Sequence, residues 1–252
     1  MNKNINLLNS FFDKIFVINL KQHTDRREYI EKNLKGLNYE FFEAVDGRLL
    51  NKQQLIASNE YSEVKSKQNP MQQIAMNMGQ IGCALSHKKI YETIISNNYK
   101  NALILEDDVS FNSANLKFIP KILSQLPADW QLFYLGYQNC TPYGSNKFYR
   151  FSKFLYYRLQ NLLLNKKHNI EHYKKIYPQN YSSNINIAGR CAGTYGYAVT
   201  NSLAEVLIKK QTPISNFADI LLIEVSYNKI YPSYSSNPII IDHQWVFHST
   251  TL

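Results

Sequence analysis

Glu106-Asp107-Asp108 is the run of side chains best equipped for chemistry, three consecutive acids directly after the apolar stretch Ala102-Leu103-Ile104-Leu105. In extended backbone successive side chains alternate faces, so Glu106 and Asp108 project to one side and Asp107 to the other. Two converging carboxylates that leave coordination positions open are how a hard divalent cation such as Mg²⁺ or Mn²⁺ is held beside a phosphate. Ligands of open α/β sheets collect just outside the carboxyl ends of the strands, where a strand ending at Leu105 would deliver this pair. Taken alone, such a triplet is a solvated acidic turn about as often as a metal site, so its surroundings decide.

The elements that must position it read as alternating strands and helices. Asp13 to Leu20 carries the branched run Ile15-Phe16-Val17-Ile18, the pattern of a buried parallel strand. Thr24 or Asp25 is expected to cap a helix that runs through Leu34 and stops at Gly36. Tyr39 to Val45 reads as a second strand, and Asp46-Gly47 turns out of it. The polar stretch from Asn51 to Met78, with Pro70 inside it, predicts short helices and loops. Gly79 to Asn97 is a helix directing Ile81, Leu85, Ile90 and Ile94 to a core, followed by the strand that carries the acids. Further on come a helix over Leu116 to Leu126, a strand over Trp130 to Leu135, globular character at Ala198-Val199, helices around Ser202 to Lys209 and Phe217 to Asn228, and apolar Ile239-Ile240-Ile241. This alternation argues for an α/β domain, a mostly parallel central sheet flanked by helices, spanning residues 1–252 as one unit.

Composition bounds the reading. With 252 residues, 44% hydrophobic and 19% charged, the chain can bury one substantial core and is neither a small stapled scaffold nor a disordered tail. No apolar run approaches the roughly 20 residues that cross a bilayer, and the N-terminal apolar stretch, broken by Asp13 and Lys14, does not read as a signal peptide. Cys83, Cys140 and Cys191 lack metal-ligand spacing and suit reduced thiols, so a cytoplasmic location is expected. A net charge of +9 favours an anionic partner without choosing among nucleic acid, membrane and phosphorylated substrate.

Four ordered blocks carry a resemblance. They are Ile15-Phe16-Val17-Ile18-Asn19-Leu20 with Asp25-Arg26-Arg27; Phe42-Glu43-Ala44-Val45-Asp46-Gly47; Gly79-Gln80-Ile81-Gly82-Cys83-Ala84-Leu85-Ser86-His87; and Leu105-Glu106-Asp107-Asp108-Val109. Together they resemble glycosyltransferase family 25, the bacterial lipopolysaccharide galactosyltransferase-like group, with weaker support from Ala192 to Tyr197 and from Pro213 to Asp219. The resemblance implies a GT-A-like nucleotide-sugar-binding domain in which the acidic triplet plays the part of a DxD motif, with Mn²⁺ or Mg²⁺ held against the pyrophosphate of a UDP-sugar donor. Glu in the first position lengthens one ligand arm, and which two of the three acids touch metal stays open. Glu106 and Asp108 are the first choice, Asp107 is assigned to the cofactor, and His243, by analogy with other GT-A folds, is the third metal ligand, with His248 as its alternative.

The same resemblance implies that Asn19 and Asp46 line the donor pocket near the base or ribose and that Arg26 lies near phosphate. It also turns Ser86 and His87 towards that crevice. Transfer to a hydroxyl with inversion needs one general base beside the acceptor oxygen. Asp219, at the start of an apolar helix, is that choice and Glu224 the reserve; as a helix N-terminal acid, Asp219 would equally complement the macrodipole. The implied activity is transfer of a hexose, galactose first, from a UDP-sugar to a lipopolysaccharide or lipooligosaccharide core on a lipid-linked acceptor.

Residues 147–175 interleave Lys and Arg with Tyr and Phe against the single acid Glu171, within a basic aromatic insertion at about 147–180. Such a segment fits a lipid headgroup layer, or a plain solvated helical face. No nucleic-acid motif accompanies it, so no nucleic-acid partner is expected, and a peripheral position on the inner face of the cytoplasmic membrane is. Two other classes compete: a basic nucleic-acid- or membrane-binding protein without catalysis, and a metal-dependent phosphohydrolase or nucleotidyltransferase using the same carboxylates.

Overall fold

The computed structural model describes residues 3–139, 147–164, 176–227, 229–244, 246 and 247. Helix α1 (Lys3–Phe11) leads into β1 (Lys14–Asn19), α2 (Thr24–Asn33) and β2 (Glu40–Glu43). Two short helices, α3 (Lys52–Ala57) and α4 (Glu63–Gln68), precede the long α5 (Met78–Ser96). Next come β3 (Asn101–Glu106), β4 (Val109–Phe111), α6 (Ile119–Gln125), β5 (Leu132–Asn139) and α7 (Lys147–Leu163). The remaining elements are β6 (Gln179–Asn180), β7 (Ile185–Ile187), β8 (Cys191–Thr200), α8 (Asn201–Lys210), α9 (Ala218–Tyr227), β9 (Ser233–Ser236) and β10 (Ile241–His243).

Eight strands form one sheet in the order β2-β1-β3-β8-β5-β9-β7-β6. The half that carries the chemistry is parallel, β1 pairing with both β2 and β3. β8 then runs antiparallel between β3 and β5, so β1, β3 and β5 all point one way and their carboxyl ends share an edge. The sheet is therefore mixed: β2, β1 and β3 are parallel on one side of β8, and on the other β5 and β9 are parallel while β7 and β6 pair antiparallel. Both faces are covered, which explains why the central strands are continuously apolar. Ile15 and Val17 of β1, with Leu103 and Leu105 of β3, pack against α1, α2 and α6. The alternate residues Phe16, Ala102 and Ile104 pack on the other face against α5, α8 and α9. A smaller core of Leu55, Tyr61, Met76, Ile81, Ala84 and Ile214 anchors the segment that wraps between β2 and α5.

Two local expectations are corrected. Neither Thr24 nor Asp25 caps α2: both lie in its first turn, and His23 occupies the cap position without a side-chain bond. The helix expected over Leu116 to Leu126 begins with a 3₁₀ turn, Leu116–Phe118, and becomes α-helical only from Ile119, where Pro120 suits the first turn. Residues 165–175 of the basic segment, together with Cys140 and His248, lie outside the described residues.

Candidate active site

β3 ends at Glu106 because two residues of turn, Asp107 and Asp108, follow it before β4 begins. β4 pairs antiparallel with β10, His243 opposite Val109, and this pairing carries a histidine from the far end of the sequence to the acids. Gln244 N–H donates to the Asp108 carbonyl at 3.0 Å and fixes the junction. One ligand atom from each of Glu106, Asp108 and His243 lies within 4.8 Å of the others, with His243 Nε2 3.3 Å from Asp108 Oδ2.

Asp107 is not one of that trio, and in the turn its carboxylate is taken up by Arg26 and Asn19 instead. Arg26 Nη1 donates to its Oδ1 at 2.5 Å and reaches Asp108 Oδ2 at 3.3 Å. Asn19 Nδ2 donates to Asp107 Oδ2 at 2.8 Å, and Asn19 Oδ1 accepts from Arg27 Nε at 2.6 Å. The guanidinium of Arg26 sits 4.9 Å from the centre of the Phe247 ring, which covers it. In this structure, then, Arg26 and Asn19 first of all hold the acidic turn.

Charge in the cluster is unbalanced. Among the described residues Arg26 is the arginine paired with Asp107 and Asp108, and burial with the nearby Asp108 charge pushes Glu106 up to about 7, opposed by a hydrogen bond from Thr194 Oγ1. Burial also raises Asp107, against the pull of Arg26 and Asn19. His243 is raised by its hydrogen bond to Asp108. Asp108 Oδ1 is buried without a hydrogen-bond partner among the described residues, which is costly unless something cationic meets it. Two carboxylates and an imidazole, one carboxylate oxygen unspent, fit a divalent cation of the Mn²⁺ or Mg²⁺ kind.

The trio opens into a crevice of about 510 Å³ at the shared strand edge. Asn19, Arg26, Asp46, Ser86, His87 and Asp219 all line it, as do Glu106, Asp107, Asp108 and His243. Gly79 and Gln80 at the entrance of α5 face the same space, and Asn77 caps that helix, exchanging hydrogen bonds with Gln80. Asp46 caps the short turn Gly47–Leu49 and binds Arg48 and Gln22, and Arg48 holds its carboxyl well below the usual range.

The loop carrying Asp46 lies against α5 because glycines let it. A Cβ on Gly47 would fall 2.1 Å from the Met78 carbonyl oxygen, and one on Gly82 would fall 2.6 Å from that of Val45. Ser86 staples the contact: its Oγ accepts from Val45 N–H at 2.8 Å and donates to the Gly82 carbonyl at 2.7 Å. His87 Nδ1 meets the Tyr197 hydroxyl at 2.7 Å, which in turn meets Tyr91 Oη at 2.8 Å. Burial lowers His87 to about 3, so it is a neutral imidazole.

Asp219 stands in the first turn of α9, its Oδ2 accepting from Gly193 N–H at 3.2 Å. Gly193 has φ of +77°, a conformation that suits glycine. Glu224 does not join the crevice: it is hydrogen-bonded by Asn69 Nδ2 at 2.7 Å and Asn216 Nδ2 at 3.2 Å, in a polar cluster elsewhere on α9. Residues that sequence reasoning did not assign also appear. Thr194 orients Glu106, Tyr195 lies over His243 with ring centres 4.4 Å apart, and Phe247 covers Arg26. The Ala192 to Tyr197 stretch was the only signal for the first two.

A family model described as glycosyltransferase family 25 (LPS biosynthesis protein) matches residues 12–222. Among curated relatives, human procollagen galactosyltransferase 2 is 35% identical over 130 residues, covering 50% of this chain and 21% of the relative. A glycosyltransferase 25 family member of Drosophila melanogaster is 37% identical over 128 residues, covering 49% of this chain and 21% of the relative. Inactive glycosyltransferase 25 family member 3 of Homo sapiens is 31% identical over 136 residues, covering 52% of this chain and 23% of the relative. A solved glycosyltransferase involved in glycosylation of the major capsid of PBCV-1 aligns over 93% of both chains at 9% identity with a TM-score of 0.42.

Proposed function

Since the chain belongs to glycosyltransferase family 25, we propose that it transfers a hexosyl unit, galactose first, from a UDP-sugar to a hydroxyl of a lipopolysaccharide or lipooligosaccharide core, with inversion. The observation that carries this reading is the convergence of Glu106, Asp108 and His243 at one end of a crevice that also holds Asp219. Relatives named as galactosyltransferases support the choice of sugar, and the description of the family model as an LPS biosynthesis protein supports the acceptor. A cytoplasmic location belongs to the same proposal, and the Cys83 thiol fits a reducing compartment.

Glu106, Asp108 and His243 would hold a divalent cation, which when bound supplies positive charge to the departing nucleoside diphosphate. Everything else falls to the chain's own groups. Arg26 and Asn19 keep Asp107 and Asp108 in register, so the donor meets a preformed array instead of assembling it. His87, neutral and fixed by Tyr197, offers hydrogen bonding without adding charge. Asp219 removes the proton from the acceptor hydroxyl as that oxygen bonds to the anomeric carbon and the bond to the diphosphate oxygen breaks. One displacement of this kind inverts the anomeric centre.

Purified protein with Mn²⁺, a panel of UDP-sugars and a truncated lipooligosaccharide core tests the reading. A new glycoside formed from UDP-galactose is expected. Release of nucleoside monophosphate in place of UDP would point to pyrophosphate cleavage, and no turnover of any nucleotide sugar would contradict transfer, an outcome made pertinent by relatives named as inactive.

A further inference from the structure

Helix α7 buries little of its apolar surface. Phe148, Phe151, Leu155, Leu159 and Leu162 recur at steps of three and four residues and fall within an arc of roughly 80° at the α-helical pitch. All five are exposed, Phe148 at 79% and Leu162 at 78%, in a structure whose sheet helices are otherwise packed. Leu163, 72% exposed, borders the stripe at the end of the helix, and Leu164, which follows it, is 61% exposed. A soluble helix turns such a stripe inwards, so one left outside marks an interaction surface.

The rest of the helix names the occupant. Its seventeen residues contain Lys147, Arg150, Lys153 and Arg158 and no acid. Lys153 Nζ lies over the rings of Tyr149, Tyr156 and Tyr157 at 5.7 to 5.8 Å, an aromatic and cationic mixture suited to a headgroup layer. A second copy would bring like charges together, whereas an anionic bilayer answers both faces at once. No helix among the described residues is long and apolar enough to cross a membrane, so the helix would lie on the surface.

Topology gives the contact a purpose. The chain leaves β5 at Asn139, opposite Cys191 of β8, at the same sheet edge where β3 delivers Glu106. The segment containing α7 therefore departs from the crevice end of the sheet.

We propose that α7 is an in-plane docking helix for an anionic lipid bilayer, inserting Phe148, Phe151, Leu155, Leu159 and Leu162 while its basic residues pair with lipid phosphates. This does not rest on the transferase reading, because vesicle binding is measured without turnover. The full chain should co-sediment with vesicles containing about 30% phosphatidylglycerol and bind pure phosphatidylcholine at least about tenfold more weakly, with release as salt rises. The triple variant Phe151→Ser/Leu155→Ser/Leu159→Ser and the pair Lys153→Glu/Arg158→Glu should each weaken vesicle binding about tenfold or more. Both should keep the wild-type circular dichroism and melting temperature, and Val64→Ser, at another exposed apolar residue, should bind as wild type. Equal binding to neutral vesicles, unaltered binding by the triple variant, or a concentration-dependent dimer abolished by it would each overturn the proposal.

Discussion

Arg26 and Asp107 form a buried ion pair, Nη1 to Oδ1 at 2.5 Å, that joins the first turn of one helix to the acidic turn after a neighbouring strand. Because Arg26 also reaches Asp108 at 3.3 Å, this contact sets the spacing between the acid that is paired and the acid left to face the crevice. Removing the guanidinium leaves buried negative charge uncompensated, so Arg26→Met should cost ~3–5 kcal/mol of stability in denaturant unfolding. Arg26→Lys should recover part of it. A wild-type midpoint for Arg26→Met would show that the pair positions nothing.

Asp219 and Glu224 separate cleanly. Asp219→Asn keeps an oxygen for Gly193 N–H but cannot take a proton, so kcat should fall ~10²–10⁴-fold, with donor affinity, read by UDP-sugar titration, held within about twofold. Glu224→Gln leaves the crevice intact and opposes an amide to Asn69 and Asn216. It should lower stability by about 1–3 kcal/mol at near wild-type turnover. The reverse pattern would move the base to Glu224.

His87 predicts a pH dependence. Folded, it titrates at about 3; unfolded, near its ordinary 6.5. Between those values the unfolded chain holds a proton that the folded chain does not, so stability falls as pH falls below 6.5, by ~1.4 kcal/mol per unit. Glu106 and His243 act in the opposite sense, since both are raised on folding and stabilise as pH falls. The difference between wild type and His87→Asn in chelator-containing buffer isolates the histidine. That difference should shrink steadily from pH 6.5 to 4.5, and a constant offset would contradict a buried neutral imidazole.

Gly82 tests how the donor loop is seated. Gly82→Ala would drive its Cβ into the Val45 carbonyl, a backbone atom that cannot turn aside. The loop carrying Asp46 should shift, at a cost of about 1–3 kcal/mol, and UDP affinity by calorimetry should weaken with it. Unchanged stability and affinity would mean that the loop yields freely.

How far this site was legible follows from where its residues sit along the chain. Ile15 to Asn19 and Ala102 to Glu106 declare themselves because strands buried on both faces must be continuously apolar, and their ends deliver Asn19 and Glu106. The entrance of α5 is similarly local, with Gly79 and Gly82 serving close approach. β8 is legible only at Ala198-Val199, because its first half, Cys191 to Gly196, holds two glycines and lacks the branched apolar run that marks a buried strand. Nothing near His243 marks it; it reaches Asp108 only through the pairing of β10 with β4. Glu224 lies five helical residues from Asp219, an offset that places it on a different face. Arg26 was expected at a phosphate, and its engagement by two carboxylates depends on a contact across 81 residues.

Mn²⁺ binding in the presence of UDP, followed by electron paramagnetic resonance, bears most directly on the cluster of Glu106, Asp108 and His243. Wild type should sequester the ion at a single site, and Asp108→Asn and His243→Ala should each weaken binding at least about tenfold while leaving the melting temperature of the ion-free protein near wild type. Equal Mn²⁺ affinity in all three proteins would contradict the account.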